Sequence, residues 1–185
     1  MATQWRNTDN TYGWASIVQH WLALPLVLFL LGSGIYMVTL TYYDPLYTRL
    51  PHWHKVVGVL TLLLTLARIA WRLGSTRPAP LPAPRWQQWS ARLVHLGFYL
   101  ALLALGITGY IITTAKGKPI DLFWGWQLPA LGSWPTDTAE LSGVLHRWIG
   151  YGIGALILLH SCAALVHHFI QRDATLRRML RPRSR

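Results

Sequence analysis

The sequence predicts an all-α integral membrane protein: a bundle of four transmembrane helices in one domain covering residues 1–185. Three observations carry this prediction. Of the 185 residues, 52% are hydrophobic and 12% charged, whereas a soluble domain carries roughly 25% charged residues. Four long stretches, 14–40, 54–73, 92–114 and 143–170, are almost free of charge, and a helix needs about 20 such residues to cross hydrocarbon. Each is far longer than the roughly 10 residues of a barrel strand, so helices satisfy the backbone polar groups.

The first span is too long for a signal-peptide core, lacks a small-residue cleavage site and opens on Gln19, His20 and Trp21, so it reads as a retained helix. Pro25 is expected to kink it. A kink is tolerated where neighbouring helices cover the freed carbonyl. The second span begins at His54 and Lys55. Between the second and third spans, Pro78, Pro80, Pro82 and Pro84 alternate along 76–85, which predicts an extended polyproline spacer. The connection 116–142 holds Phe123, Trp124, Trp126, Leu128 and Trp134 among prolines and glycines, either an interfacial anchor or an aromatic cap over the bundle. The fourth span carries the lone Cys162, a small apolar packing residue with no disulfide partner in the chain.

The net charge of +11 would suit a nucleic-acid binder, but its distribution excludes that class. With the N-terminus inside, the inner segments hold Arg6, then Arg68, Arg72, Arg77, Arg85 and Arg92, then an arginine-rich tail from Arg172 to Arg185. The outer segments hold only Arg49, Lys55, Lys116, Lys118 and Arg147, nearly balanced by Asp44, Asp121, Asp137 and Glu140. Basic residues accumulate on the cytoplasmic side, so both termini are expected there. The tail then contacts anionic lipid headgroups.

Ionisable groups inside a membrane usually mark function, and most of the eight histidines lie within or at the ends of spans. His146 and His160 stand fourteen residues apart on the fourth span. That separation returns to within about 40° of the same face and advances about 21 Å, so one face presents a histidine near each leaflet. Such stacking suits two b-type haems, each held by two axial ligands from facing helices. Partners must match in depth, which pairs His54 with His146 at the outer side and His20 with His160 at the inner side. Gly58 and Gly150, each four residues after a ligand, leave room for a flat macrocycle. His95 is the alternative to His20. Arg68, Arg72, Arg92 and Arg147 are candidates to pair with haem propionates. His167, two turns beyond His160, stands either at a quinone carbonyl or against headgroups.

The chain resembles the bacterial cytochrome b561 family of small di-haem membrane proteins, particularly its ubiquinone-linked superoxide oxidases. The likeness runs from Ala15 to Arg183. It rests on His20-Trp21, His54, His95 followed by Leu96-Gly97-Phe98-Tyr99, His146 with His160 fourteen residues on, and the C-terminal His167-His168-Phe169 through Asp173, Thr175-Leu176 and Arg178-Met179. The resemblance implies ligation of two haems b by His20 with His160 and by His54 with His146, and a quinone near His167. It further implies location in the bacterial inner membrane, with electrons moving from superoxide at the periplasmic side to ubiquinone. A cytochrome b subunit linking a dehydrogenase or hydrogenase partner to the quinone pool is the alternative reading.

Overall fold

The structure, a computed structural model, describes residues 4–182; Arg183 and Arg185 of the basic tail lie outside the described residues. Four helices dominate it: α1 (Trp14–Met37), α2 (Arg49–Gly74), α3 (Arg85–Thr114) and α4 (Thr136–Leu165). Each is long and apolar enough to cross a membrane. At 1.5 Å per residue even α1, with 24 residues, reaches about 36 Å, against roughly 30 Å of hydrocarbon. The helix of α1 runs unbroken through Pro25. The helices α2, α3 and α4 begin before the apolar stretches, because first turns such as Arg85–Ser90 are helical too, whereas α1 and α4 stop at Met37 and Leu165, short of the ends of theirs.

The bundle is built with its large apolar side chains facing outwards. Leu22, Leu63, Leu93, Leu100, Ile107 and Leu158 are exposed on the helix flanks, as residues facing lipid should be. The interior is made of small and hydroxyl-bearing residues: Ser33, Thr61, Thr65, Thr108, Thr114 and Ser142 are buried beside Ile17, Val56 and Ile153. The threonines satisfy themselves on the preceding turn, Thr61 Oγ1 donating to Val57 O at 2.7 Å and Thr65 Oγ1 to Thr61 O at 2.8 Å. Small residues of this kind let membrane helices approach closely where lipid offers no hydrophobic drive. Packing is most extensive between α3 and α4 and between α1 and α2, while α1 and α4 meet over little area.

Two features were not expected from the sequence. The connection after α3 forms a two-stranded ribbon, β1 (Ile120–Asp121) antiparallel to β2 (Gln127–Leu128). Its turn places Trp124 (φ 55°) and Gly125 (φ 77°) in the left-handed region, the requirement of a type I′ hairpin turn. Trp124 is 90% exposed and so caps nothing, whereas Trp134 lies against the bundle, its Nε1 donating to Thr114 Oγ1 at 3.1 Å. Beyond α4 the chain continues as a π-helical turn, Val166–Ile170, and a short 3-10 turn, Arg177–Met179.

Candidate functional site

At the hairpin end of the bundle, α1, α2, α3 and α4 converge on two histidines. His54 of α2 and His146 of α4 have ring centroids 6.2 Å apart. Ser33 Oγ stands 2.9 Å from His54 Nδ1 and 3.2 Å from Leu30 O. Thr108 Oγ1 stands 3.0 Å from His146 Nδ1 and 2.7 Å from Ala104 O. Each hydroxyl has one proton. Given to the carbonyl of the preceding turn, it leaves the oxygen to accept from the imidazole, so each Nδ1 carries the hydrogen and each Nε2 keeps a free lone pair. That is the tautomer a metal-ligating histidine needs, oriented as such histidines usually are by a partner on the other nitrogen.

Glycines stand against both rings. A Cβ on Gly34 would come within 3.4 Å of His54 Cε1, and one on Gly109 within 3.2 Å of His146 Cε1. These are the glycines that seat the rings. Gly58 has only Leu30 near the place of a Cβ, and Gly150 has nothing within 4 Å.

At the end that carries the termini, three histidines gather. His160 of α4 lies with its ring centroid 6.0 Å from His20 of α1 and 5.6 Å from His95 of α3. Phe98 lies 5.7 Å from the His160 ring, and Trp21 stands edge-on to His20 at 5.4 Å. Arg68 Nη2 donates to His20 Nδ1 at 3.3 Å, so His20 accepts at Nδ1 and carries its hydrogen on Nε2, the opposite tautomer from His54 and His146. His52 stands edge-on to Trp53, ring centroids 5.7 Å apart, and joins neither group.

In spacing, the facing histidines at both ends fit haem. An iron midway between two imidazoles, with metal–nitrogen bonds of about 2 Å, sets their ring centroids roughly 6 Å apart. Although three histidines gather at one end, among the described residues no group of three His, Cys, Asp or Glu side chains is placed to hold a bare metal ion. Facing pairs instead suit a metal whose four other positions are filled by a macrocycle.

His167 lies on the π-helical turn below His160, and such turns often mark functional positions. Its Nδ1 is 2.6 Å from Asp173 Oδ2, while Asp173 Oδ1 accepts from the Thr175 backbone N–H at 2.7 Å. Partial burial pushes the Asp173 carboxyl up, but the Thr175 hydrogen bonds and His167 outweigh it and hold the group below the ordinary 3.8. The tail then folds back across the bundle: Trp21 Nε1 donates to Met179 O, and Arg178 donates to Asn10 O at 2.8 Å and Ala79 O at 3.0 Å.

All six histidines singled out in the sequence, His95 included, thus lie at these two ends. Ser33, Thr108, Gly34, Gly109 and Asp173 were missed. Oxygen side chains buried at histidine depth in apolar spans were the available signal for the first two, and a lone acid within a basic tail was the signal for Asp173.

The sequence profile of prokaryotic cytochrome b561 matches residues 11–182. This chain belongs to the prokaryotic cytochrome b561 family. It is 41% identical over 175 residues to "Cytochrome b561 homolog 2" of Escherichia coli (strain K12), covering 94% of this chain and 93% of the relative. Identity to "Cytochrome b561 homolog 1" of the same organism is 28% over 183 residues, covering 92% and 97%. Identity to the "Probable superoxide oxidase CybB" of Yersinia pestis is 30% over 176 residues, covering 91% and 95%. This cytochrome b561 is therefore a bacterial membrane protein of electron transfer, and its family implies bound haem b.

Proposed function

We propose that this cytochrome b561 is a superoxide:ubiquinone oxidoreductase of the bacterial inner membrane, with both termini cytoplasmic and two haems b. The observation that carries the reading is the pair of histidine centres at the two ends of α4, with ring separations of 6.2 Å for His54 and His146 and 6.0 Å for His20 and His160. His54 and His146 would hold the outer haem, and His20 and His160 the inner one. When bound, haem supplies a one-electron centre at each pair. In the overall reaction two superoxide anions each lose one electron and leave as dioxygen, and one ubiquinone takes up two electrons and two protons to become ubiquinol.

The protein's own groups bias this flow. Ser33 and Thr108 hold the Nδ1 hydrogens of the outer ligands in place. Arg68, beside His20, puts a fixed positive charge at the inner centre and favours an added electron there. His167 stands beyond that centre as proton donor to a quinone carbonyl, with Asp173 orienting the ring. The inward bias of the arginines supports the orientation.

The near-balance of cations and acids on the outer segments gives little steering of an anion. It favours a second reading, an electron-carrier subunit fed by a dehydrogenase or hydrogenase partner. Mixing the oxidised purified protein with superoxide in a stopped-flow spectrometer decides between them. Rapid appearance of the reduced b-haem band, followed by reoxidation when ubiquinone is present, is the expected result. Haem that stays oxidised in superoxide assigns the protein to the partner-fed class, and colourless protein removes the haem reading altogether.

A further inference from the structure

We propose that the groove between the end of α2, the start of the proline-rich spacer and the first half of α3 binds the phosphate headgroup of an anionic phospholipid. Its volume is about 260 Å³, and Arg72, Arg77 and Arg92 line it together with Tyr99 and the apolar Leu73 and Leu96. The assignment rests on the membrane bundle alone and is independent of the haem and quinone assignments.

Three cations share this groove without a carboxylate to neutralise them. Among the described residues the only ion pair is His167 with Asp173, on the tail. Two of the guanidinium groups are held on aromatic faces, Arg72 at 5.7 Å over Tyr99 and Arg92 at 5.3 Å over Trp89. Stacking restricts their rotamers while leaving their N–H forks free, the arrangement that suits bidentate contact with phosphate oxygens.

The groove also has a lipid-facing wall. Leu73 is 75% exposed and Leu96 53% exposed, and on a transmembrane flank such side chains meet acyl chains. A soluble phosphate compound would use the arginines and leave this wall idle, whereas a phospholipid uses both. Basic pockets between helices at the membrane surface bind anionic headgroups in this way. The rival anion is a haem propionate: Arg68, which hydrogen-bonds His20, shares the Tyr99 ring with Arg72, at 6.0 Å, whereas Arg77 and Arg92 line the groove without stacking on that ring.

The test uses the haem-loaded protein, delipidated in detergent and titrated with phosphatidylglycerol, phosphatidylcholine or inorganic phosphate, with binding read by native mass spectrometry and by thermal shift. Phosphatidylglycerol is expected to be retained and to raise Tm, and the other two to do neither. A surface cation contributes roughly fivefold to anionic lipid affinity, so R72Q/R92Q should weaken retention about 25-fold. R77Q, in the irregular spacer, should weaken it about fivefold and reads the same groove if the double variant does not fold. An equal shift with inorganic phosphate would make this a free-anion site and overturn the proposal. So would unchanged retention in the variants, or loss of the haem band in R72Q/R92Q, which would give these arginines to the cofactor.

Discussion

Ser33 Oγ lies 2.9 Å from His54 Nδ1, bridging α1 and α2 at the depth where α4 brings His146 opposite. Thr108 repeats the contact on His146 from α3 at 3.0 Å. Replacing either hydroxyl removes the acceptor that fixes the imidazole tautomer and makes the ligand less basic. S33A and T108V are expected to lower haem affinity at this centre about tenfold and to raise its midpoint potential, leaving the other centre unchanged. A spectroelectrochemical titration resolving the two haems checks this, and equal movement of both would refute a local role.

Histidine deletions divide the cofactor by centre. H54A and H146A should each lose the outer haem and keep the inner one, so that pyridine haemochrome analysis finds about half the haem of the unsubstituted protein. H160A should lose the inner haem. H20A and H95A separate the two histidines beside His160: loss of haem in H20A with retention in H95A is the expected pattern, and the reverse would move the ligand to α3.

Gly109 gives a prediction in which stability and occupancy part company. A methyl group there would stand 3.2 Å from His146 Cε1, forcing the ring to shift by a few tenths of an ångström. Alanine also favours helix over glycine by up to about 1 kcal/mol. G109A should therefore fold at least as well without haem while its haem content falls, measured as the ratio of the haem band to protein absorbance. Undiminished haem would show that the ring is free to move.

The Asp173 contact sets a pH dependence with a definite sign. Its carboxyl titrates below the ordinary 3.8 in the folded protein, so its contribution is complete above that value and is lost as pH falls through the lower, folded one. Hydrogen exchange of the segment 173–179, corrected for intrinsic rates, should show constant protection at and above neutral pH and a loss on acidification below 3.8. D173N should show that loss at neutral pH already. Ubiquinone affinity should weaken with it, about tenfold, if His167 faces the quinone.

Much of this protein is one-dimensional, and that part was legible in the sequence. A membrane converts position along a helix into depth at about 1.5 Å per residue, so spacing and span direction put His54 opposite His146 and brought His20 and His95 alike to His160. The turn at Trp124 and Gly125 was not legible: a tryptophan at positive φ opposes its own preference, and only pairing of the flanking residues holds it there.

What the sequence alone determined is the number of helices long and apolar enough to cross a membrane and the order of the histidines along them, because both are read directly from position in the chain. Tertiary structure decided everything that depends on rotation about the helix axes. Which hydroxyl reaches which Nδ1, which glycine faces which ring, and that His20 and His95 both stand beside His160 depend on which helices are neighbours and how they turn towards each other. Apolar flanks facing lipid do not encode that azimuth, since lipid accepts any of them equally. Interior packing of small residues and the few buried hydrogen bonds select it, and those contacts exist only between segments distant in the chain.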